Sequence, residues 1–343
     1  MSMVRKQLVV AFAILALGGM YGCPSGSHSA SDGTPVLLNV SYDPTRELWA
    51  NLNEAFIPYY EQKFQKKVQI KQSHAGSGPQ ARAVIDGLEA DVVSLALKSD
   101  TDAIRKNGLI AENWQERLPN GAVAYTSNIV FVVRKGNPNG IQDWPDLVKP
   151  GVQVITPSPK TSGNGKLAFL AAWGSVTLNG GTEDQAREFV KTIYKNAPVL
   201  DTGARGATVS FAQRGLGNVH LTWESEAHLE VQESKGELEI VYPKSSILAE
   251  PPLAWVDSVV DRKNTREIAE EYLKFLYTPE AQQIIAKHYY RPIDPQVLEA
   301  NRDKFPEMRL FPVTDVVPGG LDEAQARFFD DGGEFDKIYQ SAR

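Results

Sequence analysis

From Val36 onward the chain alternates two hydrophobic rhythms. Short runs of apolar and β-branched residues at 36–42, 68–73, 91–97, 128–134, 152–156, 219–223, 238–242 and 253–259 read as strands. Between them, apolar residues recur every three or four positions. Leu48, Leu52, Phe56 and Tyr60 form one such stripe, and Asp43-Pro44 ahead of it predicts an Asp N-cap followed by Pro at the first helical position. Ala81, Val84, Ile85 and Leu88 form another stripe, and 265–277 predicts a long amphipathic helix. The run at 91–97 (DVVSLAL) is apolar almost throughout, as in a strand covered on both faces of a parallel sheet. Alternation of this kind predicts an α/β fold.

A length of 343 residues exceeds a single ordinary core and fits two domains. The middle portion carries its own βαβ set, so the chain on either side of it is expected to complete a first lobe. The expected partition is 35–122 with 248–343 as lobe 1 and 123–247 as lobe 2, crossing near 121–125 and 242–253. A cleft between two such lobes is the default place for a ligand.

Residues 1–22 read as an export signal: Arg5 and Lys6, an apolar run from Leu8 to Leu17, then Gly18 and Gly19. The apolar run is too short to span a bilayer as an anchor. Cys23 follows directly and is the only cysteine in the chain, which excludes an intrachain disulfide and a four-cysteine zinc site. Its place after Gly22 favours a lipidated N-terminal cysteine over an incidental residue, although Tyr21 is bulkier than that motif prefers. Residues 23–34, rich in Ser and Gly, read as a flexible tether. A net charge of −6 argues against a nucleic-acid partner and means that any anion site must work through local dipoles.

Four expected strand-to-helix turns stand out, at 41–46 (SYDPTR), 73–78 (SHAGSG), 159–165 (PKTSGNG) and 201–206 (DTGARG). A helix start exposes unpaired N–H groups and the positive end of the helix dipole, which suits an anion. Any one such turn is ordinary capping; four of them, two in each expected lobe, point to a site. Rival chemistries lack their residues. Gly163-Asn164-Gly165-Lys166 has neither P-loop spacing nor a Ser/Thr after the lysine. The five histidines have no metal-ligand spacing, and no nucleophile has a credible base, so neither an enzyme nor a metal or cofactor is expected.

The stretches NVSYDPTREL (39–48), QSHAGSGPQARAVIDGLEADVVSLAL (72–97), TSNIVFVVRKGNP (126–138), PGVQVITPSPKTSG (150–163), DTGARGAT (201–208) and EYLKFLYTPEAQ (271–282) resemble the sulfate-binding protein family of bacterial ABC importers. LAAW (170–173), Trp223-Glu224 and SILAEP (246–251) extend the resemblance over nearly the whole chain beyond the leader. It implies a two-lobed type II periplasmic-binding-protein fold with a ligand cleft between the lobes. It also implies a periplasmic receptor that delivers sulfate, or thiosulfate, to an ABC permease and its ATPase. A monomer is expected because the two lobes already make a complete site, with the membrane reached only through the anchor expected at Cys23. A sensor without a transport role is the alternative. The donors it implies are the backbone N–H of Asp43, the side chain of Ser77, the Ser162 hydroxyl, the backbone N–H groups of Gly163, Asn164 and Ala204, and the Trp223 indole. Asn164 stands where the family usually has a second glycine, but its N–H remains. Arg46 and Arg205 are expected to brace these loops from behind, and Glu224 and Glu226 to be structural. A donor-only set suits ionised sulfate, whereas hydrogenphosphate brings a proton that needs an acceptor.

Overall fold

The computed structural model describes residues 33–342; the expected signal segment and almost all of the tether, Cys23 included, lie outside the described residues. The strands, in chain order, are β1 (Val36–Tyr42), β2 (Gln69–Ala75), β3 (Val92–Ser94), β4 (Tyr125–Thr126), β5 (Ile129–Arg134), β6 (Val154–Pro157), β7 (Leu200–Asp201), β8 (Val219–Trp223), β9 (Leu238–Val241), β10 (Ser245–Ile247), β11 (Leu253–Trp255), β12 (Arg291–Pro292) and β13 (Arg309–Phe311). Two sheets organise residues 35–342. One has the order β11-β3-β1-β2 and the other β7-β6-β8-β5-β9.

Each sheet has a parallel centre, β2-β1-β3 in the first and β7-β6-β8 in the second. Each also has antiparallel members: β11 on β3, and β5 between β8 and β9. The parallel strands are followed by helices, so their carboxyl ends gather loop and helix starts on one edge, where open α/β sheets bind ligands.

The sequence pattern and the observed elements differ in instructive places. Asp43 does not cap the first helix: Asp43–Thr45 is a short 3-10 turn with Tyr42 ahead of it, and the α-helix runs Arg46–Phe64. Only Val92–Ser94 of the apolar run 91–97 is strand, because the chain turns at Leu95–Leu97 into the helix Lys98–Lys106 while staying buried. The expected strand 253–259 stops at Trp255, and Asp257–Lys263 is helix.

Two large cores form, one for each sheet, and a smaller cluster of Val130, Val132, Ile155, Ala207 and Phe211 covers the alternate residues of the second sheet. Leu37, Val40, Trp49, Phe56, Val93 and Tyr272 belong to the first, with Trp49 and Tyr272 stacked at 5.4 Å. Phe131, Val154, Phe169, Trp173 and Leu221 belong to the second. The expected first lobe takes in all of 248–343. Packing divides it: Leu253 to Tyr290 join the first core, whereas Phe311 to Ile338 join the second. Aromatic contacts account for this. Phe328 lies 5.2 Å from Phe169 and 5.0 Å from Trp173, and Phe335 lies 5.2 Å from Tyr194, so the C-terminal helices bury their rings on the helices Gly163–Thr177 and Glu183–Lys195. Chain passes between the sheets near the bridges Val123↔Pro252 and Ser127↔Ala249.

Candidate functional site

All four turns singled out in the sequence meet. A β-carbon built on Gly76 would lie 2.9 Å from the Thr161 carbonyl oxygen and 3.5 Å from that of Thr202. One on Gly163 would lie 2.5 Å from the Ala96 β-carbon and 3.7 Å from that of Ser77, and one on Gly203 would lie 2.6 Å from Asp43 Oδ2. At Gly76 the obstacle is backbone, so glycine is what lets these loops approach so closely; at Gly163 and Gly203 it is the side chains of Ala96 and Asp43. Thr161 Oγ1 donates to the Thr202 carbonyl at 2.8 Å and joins the third turn to the fourth.

Helix starts therefore converge on one place. Gly163 and Asn164 open the helix Gly163–Thr177, and Ser77 opens Ser77–Ile85, so their N–H groups have no acceptor within their own helices. Asp43 and Ala204 open the shorter turns Asp43–Thr45 and Ala204–Thr208. Ser162 is the N-cap, and its Oγ accepts from Gly165 N at 3.4 Å, which leaves the hydroxyl hydrogen free to donate elsewhere. Trp223 ends β8, is 1% exposed, and stands 5.5 Å from the Tyr42 ring at the end of β1. Among the described residues no acceptor takes its indole N–H. What such a gathering offers is hydrogen-bond donors and positive dipole ends in one place, the chemistry of anion capture.

One donor assignment changes. The Ser77 hydroxyl donates to Asp100 Oδ2 at 2.5 Å and accepts from Ala96 N at 3.0 Å, so its proton is committed. What Ser77 has left to offer a ligand is its backbone N–H. Asp100 and its second partner Lys166, 3.4 Å away, were not flagged in the sequence; both side chains are 8% exposed and they join the two sheet halves. A lysine four residues into a helix, 66 positions away, gives no local signal of this pairing.

Asn164 is buried. Its Nδ2 donates to the Leu221 carbonyl at 3.0 Å, fastening the helix start to β8 two residues before Trp223, and its Oδ1 has no partner.

The charged residues nearby are turned to one another. Arg205 donates to Glu47 at 3.0 and 3.3 Å and to Glu226 at 3.0 Å, so it ties the fourth turn to the first helix, as a bracing role requires. Burial works against its charge, but the acidic groups around it, Glu226 once ionised and Glu47, outweigh burial and hold the guanidinium protonated. Arg46 has no such role: it is exposed and makes no ion pair among the described residues. Burial pushes the Asp43 carboxyl up, against Arg46 and Arg205, which pull it down. Burial, aided by Arg46, holds His74 down at about 4, so it is neutral at pH 7; its ring is hydrogen-bonded to Ser41 and Gln72. Glu224 accepts from Arg291 at 2.7 and 2.8 Å and from Asn128 Nδ2 at 2.8 Å, all facing away from any ligand role. No cluster of three or more His, Cys, Asp or Glu side chains is placed to hold a metal ion among the described residues.

Comparisons with known proteins give the family and the fold. The model of the family "Bacterial extracellular solute-binding protein" matches residues 50–291. A protein of Escherichia coli (strain K12) named "Sulfate-binding protein" is 52% identical over 304 residues, covering 88% of this chain and 92% of its own length. A "Thiosulfate-binding protein" of Pseudomonas aeruginosa is 47% identical over 327 residues, covering 95% of each. Among solved structures, the sulfate-binding protein SubI from Mycobacterium tuberculosis superposes with a TM-score of 0.77 at 31% identity, covering 86% of this chain and all of that one. The mixed α/β architecture is thus the type II periplasmic-binding-protein fold.

Proposed function

We propose that this chain, which belongs to the bacterial extracellular solute-binding proteins, captures sulfate between two lobes and delivers it to an ABC importer. The observation that carries this reading is the convergence of the Asp43, Ser77, Ser162–Asn164 and Ala204 turns with the Trp223 indole, in a space whose nearby cations are already paired or exposed. The donors are the N–H groups of Asp43, Ser77, Gly163, Asn164 and Ala204, the Ser162 hydroxyl and the Trp223 Nε1–H.

The physics runs through dipoles. Hydrogen bonds to a charged group contribute about 1.5–3 kcal/mol each, and each helix terminus adds about 0.3–1 kcal/mol. After ordering and closure costs, about −8 kcal/mol remains, a micromolar dissociation constant. Sulfate is fully ionised and only accepts. Hydrogenphosphate carries a proton; the Asp100 carboxylate that would accept it is already taken by Ser77 and Lys166, and Glu224 by Arg291 and Asn128. An unpaired hydroxyl there costs about 1–3 kcal/mol, roughly a tenfold to hundredfold preference for sulfate.

In this reading the two sheet halves act as lobes about the passages near Val123–Pro252 and Ser127–Ala249, the C-terminal helices move with the second, and the closed form docks as a monomer on a permease with its ATPase. The protein is periplasmic, held to the membrane through an acylated Cys23. Globomycin should leave an unprocessed precursor; processing unaffected by the drug would remove the anchor from the proposal.

The deciding experiment is calorimetric titration of the chain from residue 24 onward with sulfate, thiosulfate, hydrogenphosphate and molybdate. One-to-one binding of sulfate at micromolar or tighter affinity, with phosphate silent, is expected. Thiosulfate binding tighter than sulfate would move the assignment to thiosulfate, and silence toward both would overturn it.

A further inference from the structure

Behind the Ala96–Leu97 wall lies a second cavity, of about 300 Å³, which none of the proposed anion donors lines. It sits where the two halves meet the connecting chain. Leu97 comes from the first half and Leu167 from the helix that opens with Gly163. Leu248 and Pro252 come from the connection, and Val313 and Leu321 from the C-terminal segment that packs on the second core. Gln115, Asn120 and Thr314 add polar groups to the lining, so the side made by Leu97, Leu167, Val313 and Leu321 is the part that desolvates an apolar body favourably.

Its charged rim selects a sign. Lys98 also borders the cavity, but its ammonium is already paired with Asp102 and lies 3.7 Å from Asp322. Glu250, on the connecting chain, is exposed and has no hydrogen-bond or ion-pair partner among the described residues. The uncompensated charge at the mouth is therefore negative. We infer that this cavity binds a small organic ammonium: an apolar body of a few carbons among Leu97, Leu167, Val313 and Leu321, with its cationic head at Glu250.

Such a ligand would act on anion capture. The lining comes from both halves in the arrangement that also brings Gly163 against Ala96, so a molecule filling it favours that arrangement. Coupling of this kind is reciprocal: the ammonium tightens anion binding by the factor by which the anion tightens ammonium binding. This coupling, but not the cavity itself, rests on the anion reading proposed above.

n-Hexylammonium is the probe, with hexanoate and hexanol as controls of equal length. Calorimetry of the mature chain, with and without saturating sulfate, is expected to show saturable one-to-one binding of hexylammonium. Its affinity should be at least about tenfold above that of hexanoate, and severalfold tighter when sulfate is present. Leu321→Trp, which fills the cavity from an already half-exposed position, should abolish it, and Glu250→Gln should erase the preference for hexylammonium over hexanol. Absence of saturation, equal binding of hexanoate, or full binding by Leu321→Trp overturns the site. Equal hexylammonium affinity with and without sulfate overturns the coupling. A chain that ignores sulfate yet binds hexylammonium would sink the anion reading and leave the cavity standing.

Discussion

A β-carbon added to Gly163 would fall 2.5 Å from that of Ala96, on the other half of the molecule. Within its own helix the same change is tolerated, since Gly163 is the first helical residue and its φ is not positive, a conformation alanine also adopts. Folding and closure therefore respond differently. Gly163→Ala should melt at the same temperature as the parent without anion, while sulfate affinity drops at least about tenfold, an overpacking cost of about 1.4 kcal/mol or more. Calorimetry paired with thermal melts separates the two, and unchanged sulfate affinity would mean that Ala96 and Gly163 do not meet in the bound form. This glycine was legible in the sequence as part of a helix-start turn, but the reason for it was not, because its neighbour lies 67 positions away on another element. Ser77 shows the same limit from the other side. Its residue type advertises a hydroxyl donor, and only the packing of Asp100 against it reveals that the hydroxyl is spoken for.

The helix Glu224–Glu233 joins the site to the rest of the second half through three buried carboxylates. Glu224 is held by the Arg291 fork, and removing that partner leaves a buried charge with Asn128 alone. Arg291→Met should cost about 3–5 kcal/mol in urea unfolding, and replacing Glu224 by Leu in the same chain should recover most of it. A single-variant cost under about 1 kcal/mol would show that the pair does not hold the helix. Further along, Glu226 packs against Arg205 and Thr208, with Glu230 and its partner His220 behind them. Burial, with the charges of Glu230 and Glu47, pushes the Glu226 carboxyl up to about 8 despite Arg205. A carboxyl whose folded pKa lies above its unfolded one binds its proton more tightly when folded. Its stabilising contribution is full below about 4.5 and is lost as pH rises to about 8. Melting temperature should fall more steeply between about pH 6 and 8 in the parent than in Glu226→Gln, whose side chain stays neutral; parallel profiles would refute the assignment. At this scale the sequence was most legible. Leu48, Leu52, Phe56 and Tyr60 predicted a buried helix face, and all four are buried. The apolar run after Asp91 misled, because complete burial looks the same in a strand and in the loop that follows it.

Which half a segment belongs to is decided by contacts, and here local pattern carried least information. Nothing in the periodicity of 309–342 says that Phe328, Phe329 and Phe335 pack on the helices Gly163–Thr177 and Glu183–Lys195 rather than on the helices just before them in the chain. The consequence is mechanical. Because the C-terminal segment rides with the second core, Asp322 reaches across to Lys106 at 3.3 Å and to Lys98 at 3.7 Å on the first half. With Arg205–Glu47 and the buried Asp100–Lys166 pair, it makes a set of ionic contacts between the two halves, which lobe opening in the proposed reading would break. The Asp322 contacts are half exposed, so solvent weakens them, and each is worth at most about 1 kcal/mol. Reversing the charge in Asp322→Lys places three ammonium groups together and opposes closure without disturbing either core. Stopped-flow measurement of sulfate release should show dissociation about two- to fivefold faster than in the parent at low ionic strength. The difference should fade near 1 M salt, where the screening length shrinks to about 3 Å. A difference that persisted at high salt would point to altered packing of the helix Gly320–Ala324 rather than to charge, and identical release rates at low salt would mean that this contact is not part of closure.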